Sequence, residues 1–126
     1  MVSAVDISLS GLNAASKRLE VSANNIANQF STKSTDANGN VTNTPYTPQR
    51  VDTISLSTGG VQAQANNVSP ASTAAPDAEG NLQQVPNVDQ ADQLVQQNIA
   101  SYDFKANLKA IKVQDDIMKS LLDITS

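Results

Sequence analysis

Two amphipathic patterns, one at each end of the chain, frame a middle without helical periodicity. From residue 3 to 28, Val5, Leu12, Leu19 and Ile26 recur at intervals of seven, with Leu9, Ala15 and Ala23 beside them. This predicts a helix with one apolar face. Ser3, followed three residues later by Asp6, reads as a capping box, and the carboxylate suits the positive end of the helix dipole. Gly11 interrupts the pattern at a cost of about 1 kcal/mol against alanine, but lets a second helix come close. Asn24, Asn25 and Asn28 make a polar last turn.

The second pattern runs from residue 87 to 125. Val88, Ala91, Val95, Ile99, Tyr102, Ala106, Ala110, Val113, Ile117, Leu121 and Ile124 are spaced three, four, four, a period of eleven residues. Eleven residues in three turns is about 3.67 per turn, so the stripe stays nearly straight along a helix of roughly 55 Å. Asn87, with Gln90 three residues on, is a candidate cap. A second stripe comprises Leu94, Phe104, Leu108, Ile111, Met118 and Leu122, so one partner helix cannot cover this element. The expectation is that Val95 through Ala110 seat on the first helix, while Val113 to Ile124 outrun it and face other chains.

Between them, Ser, Thr, Asn, Gly and Pro dominate, with turn signals at Asn38-Gly39, Gly59-Gly60 and Glu79-Gly80. Arg50 to Ser57 and Gly60 to Val68 alternate as strands do and are joined by Ser57-Thr58-Gly59-Gly60, which predicts a β-hairpin. Pro70, Pro76 and Pro86 punctuate Ser69 to Pro86, for which an extended, mobile segment is expected. The fold class is therefore mainly α: two long terminal helices packed together, with a central irregular segment containing a β-hairpin. Its parts are residues 1–29, 30–86 and 87–126.

Composition narrows the functions. Aromatics are 3% of the chain, too few to build a self-sufficient core or a base-stacking platform. The net charge of -4 is spread without a basic stripe, so no nucleic acid is expected as partner. There are no cysteines and no histidines, which removes disulfides, thiolate metal sites and the usual general base near neutral pH. Asp115-Asp116 and Asp89/Asp92 are paired carboxylates, but adjacent helical residues diverge by about 100° and do not converge as an acid/base pair. Asp36-x-Asn38-Gly39 lacks the terminal glutamate of a calcium loop. No catalytic residue, cofactor, metal or small-molecule substrate is expected. No signal peptide or run of about 20 apolar residues is visible.

The run Ser22-Ala23-Asn24-Asn25-Ile26-Ala27-Asn28, preceded by Gly11-Leu12-Asn13-Ala14-Ala15-Ser16-Lys17-Arg18-Leu19, resembles the N-terminal signature of the flagellar rod, hook and hook-associated axial proteins. Pro86-Asn87-Val88-Asp89, Leu94-Val95 and Ala100-Ser101-Tyr102-Asp103-Phe104-Lys105-Ala106-Asn107 resemble that family's final helix. Together the two motifs cover roughly half of the chain, in the family's order. The short middle, with Pro45-Tyr46 through Arg50-Val51, most resembles the proximal rod proteins. Gln29 to Ser34 depart from the family's threonine-rich continuation.

The resemblance implies a structural subunit of the bacterial flagellar basal-body rod, in homo- and hetero-oligomeric assembly with other rod subunits and base components. It also implies export by the flagellar type III apparatus without a cleaved signal peptide, and location in the rod that spans the periplasm. On this reading Leu12, Leu19, Asn24, Asn25, Ile26, Asn28, Tyr102, Val113, Ile117, Leu121 and Ile124 serve inter-subunit or helix packing, the asparagines by hydrogen bonding between subunits. The rival reading is a soluble helical adaptor or chaperone of a flagellar or type III secretion system, which would offer its apolar stripe to client helices.

Overall fold

A computed structural model of the chain describes residues 3–32, 34–35, 38, 41–43 and 45–124. Asp36 and Gly39 of the loop considered for calcium, and Thr125 at the expected end of the second helix, lie outside them. The first helix, α1, is Ala4–Asn28, and its start is the expected capping box. The Ser3 hydroxyl accepts from the Asp6 N–H at 3.1 Å, while the Asp6 carboxylate accepts from the Ser3 N–H at 3.1 Å. The Ser3 hydroxyl also donates to the Asp6 carboxylate at 2.9 Å, and this bond, with that from the Ser3 N–H, holds the Asp6 carboxyl below its ordinary pKa.

The middle is more regular than its composition suggests. Strands β1 (Ser34–Thr35) and β2 (Val41–Asn43) pair antiparallel. The predicted hairpin is β3 (Gln49–Ser55) with β4 (Val61–Asn67), running from Gln49 opposite Asn67 to Ser55 opposite Val61. Its turn uses Gly59 and Gly60 at φ +94° and +85°, backbone space that favours glycine.

Residues 69–86 differ from expectation. They form a further antiparallel hairpin, β5 (Ser72–Pro76) with β6 (Leu82–Pro86). The Asp77 side chain nucleates it, accepting from Glu79 N–H at 3.0 Å and Asn81 N–H at 2.7 Å, as an Asx turn does. Pro76 and Pro86 occupy strand ends, where a missing N–H is tolerated.

The second helix, α2, is Gln90–Ile124. Its cap is Asp89 rather than Asn87. One Asp89 oxygen accepts from the Ala91 and Asp92 N–H groups at 2.9 and 3.2 Å. Asn87 instead ties the helix entry to the second hairpin, through Nδ2 to Pro70 O at 3.0 Å and N–H to Ala71 O at 2.9 Å.

The helices pack antiparallel. Ser22 and Asn25 near the end of α1 bond to Gln93 near the start of α2. Arg18 pairs with Asp103 at 3.1 Å, and Gly11 abuts Asn107. The β3–β4 hairpin lies along α1. Its base is held at Asn25, and its tip docks where the Val61 N–H donates to the Ser10 hydroxyl at 3.0 Å. The small core consists of Leu12, Ala14, Ala15, Val21 and Ala100.

The face of α2 that meets α1 is not the eleven-residue stripe. Ala100 is fully buried, and Gln93, Phe104, Asn107 and Ile111 are half-buried, whereas Val95, Ile99, Tyr102, Ala106 and Ala110 are exposed. Close approach explains the reversal. A Cβ on Gly11 would sit 2.5 Å from Asn107 Oδ1, so the seam selects slim side chains and polar groups that bond within it. The wider apolar stripe is turned outward.

Candidate assembly surface

Asn25 lies at the junction of three elements and is 1% exposed. It ends an α1 face that reads Ser8, Leu12, Ala15, Ser22, Asn25, all buried. Its Nδ2 donates to Gln49 O at 2.6 Å and to Gln93 Oε1 at 3.0 Å. Its Oδ1 accepts from the Tyr46 hydroxyl at 3.0 Å and from Gln49 N–H at 3.1 Å. The side-chain amide thus pairs with both backbone groups of Gln49 as a neighbouring strand would. Burial raises the Tyr46 pKa, which keeps that phenol a donor. Ser22, 1% exposed, adds a bond of 2.7 Å from its hydroxyl to Gln93 O.

Four hydrogen bonds use both donors and the acceptor oxygen of this amide. The inter-subunit bonding expected of Asn25 is therefore met inside the chain. Asn28 also bonds internally, from Nδ2 to Asn24 O at 2.9 Å. Gln49, Tyr46 and Gln93, which complete the bracket, carry no local periodicity, and sequence reasoning missed them.

The remaining candidates divide into two groups. On α1, Leu12 is buried, Leu19 and Ile26 are half-buried, and Asn24 is exposed. On α2, Tyr102, Val113, Ile117, Leu121 and Ile124 all lie on the outer stripe, with exposures from 49% to 78%. Val95 and Ile99 continue it toward the start of α2 at 53% and 41%. An apolar row of this length facing water is unusual for a stable monomer.

The first turn of α1 reaches only the region of Leu108 to Met118. There Val5 lines a cleft of about 460 Å³ with Leu108, Ile111 and Met118. Met118 at its edge and Leu122 beyond it are also exposed, so the final turns of α2 present apolar side chains on more than one side. Lys119 closes an i,i+4 pair with Asp115, which raises the Lys119 pKa.

The polar cleft among Arg18, Ser22, Gln49, Asp52, Asp92 and Gln93 measures about 210 Å³. Among the described residues, no three His, Cys, Asp or Glu side chains gather as a metal site would require. No helix among them is long and apolar enough to cross a membrane.

Residues 6–33 match the family model described as Flagella basal body rod protein. The match takes in α1 from its first turn and the turn that follows it, and so contains Gly11, Ser22 and Asn25. No curated protein matches the chain. The N-terminal helix, with its close-approach glycine and bracketing asparagine, is thus similar to that of flagellar basal-body rod proteins.

Proposed function

We propose that this chain is a structural subunit of the flagellar basal-body rod, of the FlgC-like proximal kind. It assembles with other rod subunits and the basal-body base components into the shaft that transmits torque. The reading is carried by the rod-family match over residues 6–33. The architecture supports it physically: the matched helix forms one half of a seam whose other half, α2, leaves its widest apolar face uncovered. Straight helices packed side by side resist bending and twisting through close contact, which is what a drive shaft needs.

In this role Val113, Ile117, Leu121 and Ile124 contact neighbouring subunits, with Tyr102 beside them, while Leu12, Leu19 and Ile26 brace the helix pair. Export proceeds through the flagellar type III apparatus, and no catalytic step is involved. Residues 1–29 and 87–126 form the shared helical core, and 30–86 supply the hairpins that brace or project from it.

An antibody to this chain should detect it in purified hook-basal bodies, and a strain lacking it should yield no complete rod. Recovery only from the cytosol as a small discrete oligomer, with rods intact in the deletion strain, would overturn the reading in favour of the adaptor.

A further inference from the structure

The outer face of α2 carries a charge order that its packing stripe alone does not require. At about 100° per residue, Lys105, Lys109, Lys112, Asp116, Lys119 and Asp123 fall on one flank of the stripe, and all are exposed. Along that flank three lysines come first, and both aspartates lie in the second half, on either side of Lys119.

The stripe has an order too. Its middle is small, at Ala106 and Ala110, and its end is large, at Ile117 and Leu121. When one copy of α2 is laid antiparallel on another with the two-fold axis between Val113 and Gln114, both orders become complementary. Ala110 faces Ile117 of the second copy and Ala106 faces Leu121, so small side chains receive large ones. On the flank, Lys112 then lies within about one residue's rise of Asp116, and Lys105 of Asp123. Antiparallel pairing brings the same flank of each helix together, whereas parallel pairing sets this flank against a different one. The least favourable opposition, Lys109 with Lys119, is softened because Lys119 is already paired with Asp115.

We infer that residues 102–124 of α2 pair antiparallel with the same residues of a second copy, forming a closed two-fold dimer of the free subunit. The two bodies do not collide, because α1 packs on the face of α2 that carries Ala100, Phe104, Asn107 and Ile111, about 120° around the helix from the stripe. An overlap of about 33 Å by about 10 Å covers roughly 300 Å² per chain, well below the ~800 Å² per partner of a stable complex. The dimer is consequently weak and reversible.

Being isologous, it closes and cannot extend. It buries Val113, Ile117 and Leu121, so a subunit in this form is held out of any polymer that uses the same stripe. The pairing itself does not rest on the rod reading, and its test is made on purified protein.

The absence of cysteine makes the geometry directly readable in the full-length chain. Val113→Cys should form a disulfide-linked dimer under mild oxidation, because the two copies meet near the axis. Ala106→Cys should not, since the two thiols would lie about 22 Å apart, while Ala106→Cys with Leu121→Cys should cross-link. Sedimentation from about 1 µM to about 1 mM should show a monomer–dimer equilibrium weakened about ten-fold by Lys112→Glu. The exchange Lys112→Asp with Asp116→Lys should restore it. Equal cross-linking through residues 106 and 113, or a monomer across the whole range, would overturn the antiparallel dimer.

Discussion

Replacing Asn25 with alanine tests the junction that joins both helices to the first hairpin. The substitution deletes four hydrogen bonds, to Gln49 O, Gln49 N–H, the Tyr46 hydroxyl and Gln93 Oε1. Each is worth about 1 kcal/mol net, and a partner left buried without water costs more. Because Tyr46, Gln49 and Gln93 are only half-buried, water can reach some of them, which keeps the sum near about 3–4 kcal/mol. A domain of this size is stable by about 5–15 kcal/mol, so Asn25→Ala should lower the urea midpoint sharply. The melting temperature should fall by about 12 °C. Far-UV circular dichroism on the isolated protein is the assay, since the defect belongs to the monomer and not to assembly. Tyr46→Phe should cost about 1 kcal/mol alone and add little to Asn25→Ala. Asn25→Asp keeps the acceptor but turns a carboxylate toward two carbonyl oxygens, so acidification should partly rescue it. A loss below about 1 kcal/mol for Asn25→Ala would refute the bracket as a source of stability.

Gly60→Ala should destabilise by about 2–3 kcal/mol in chemical denaturation, because it combines a positive φ with a Cβ that would lie 2.5 Å from Ser10 Oγ. Asp89→Ala should cost about 1 kcal/mol and fray the start of α2, visible as faster amide exchange at Ala91 and Asp92. The Asp6 pKa is depressed in the folded chain, so its cap bonds are fully present above the ordinary carboxylate pKa. They are lost as pH falls through the lower folded value; NMR titration should show the Asp6 and Ser3 amides moving together only in that acid range. Deleting residues 113–126 should leave the melting temperature of the monomer nearly unchanged, because these side chains, the half-buried Gln114 apart, are exposed where described, while abolishing self-association.

Element positions were legible where a local rule governs them. The Ser3/Asp6 box, the close approach at Gly11 and the β3–β4 hairpin all follow from spacing or from a single residue's stereochemistry. Which face of α2 would be buried was not legible, because hydrophobic periodicity identifies the apolar face but not its partner. Here α1 presents Ser8, Gly11, Ala15 and Ser22, a surface that admits Ala100 and Asn107 more readily than Val95 or Tyr102. The Asn25 bracket escaped for a related reason: its partners are 21, 24 and 68 residues away, and only the fold brings them together. The β5–β6 hairpin was hidden by its prolines, which argue against a strand interior yet suit strand ends.

The bracket also bears on when this chain can fold. Asn25 closes a loop reaching to residue 93, and Gly11 waits for residue 107, so α1 gains its main partner only after most of the chain is available. Contacts of such high contact order are assembled late, since their loop-closure entropy must be met before they return any stability. A chain emerging N-terminus first, from a ribosome or a narrow channel, therefore exposes α1 as a lone helix of marginal stability. Folding is postponed by topology until the C-terminal helix arrives.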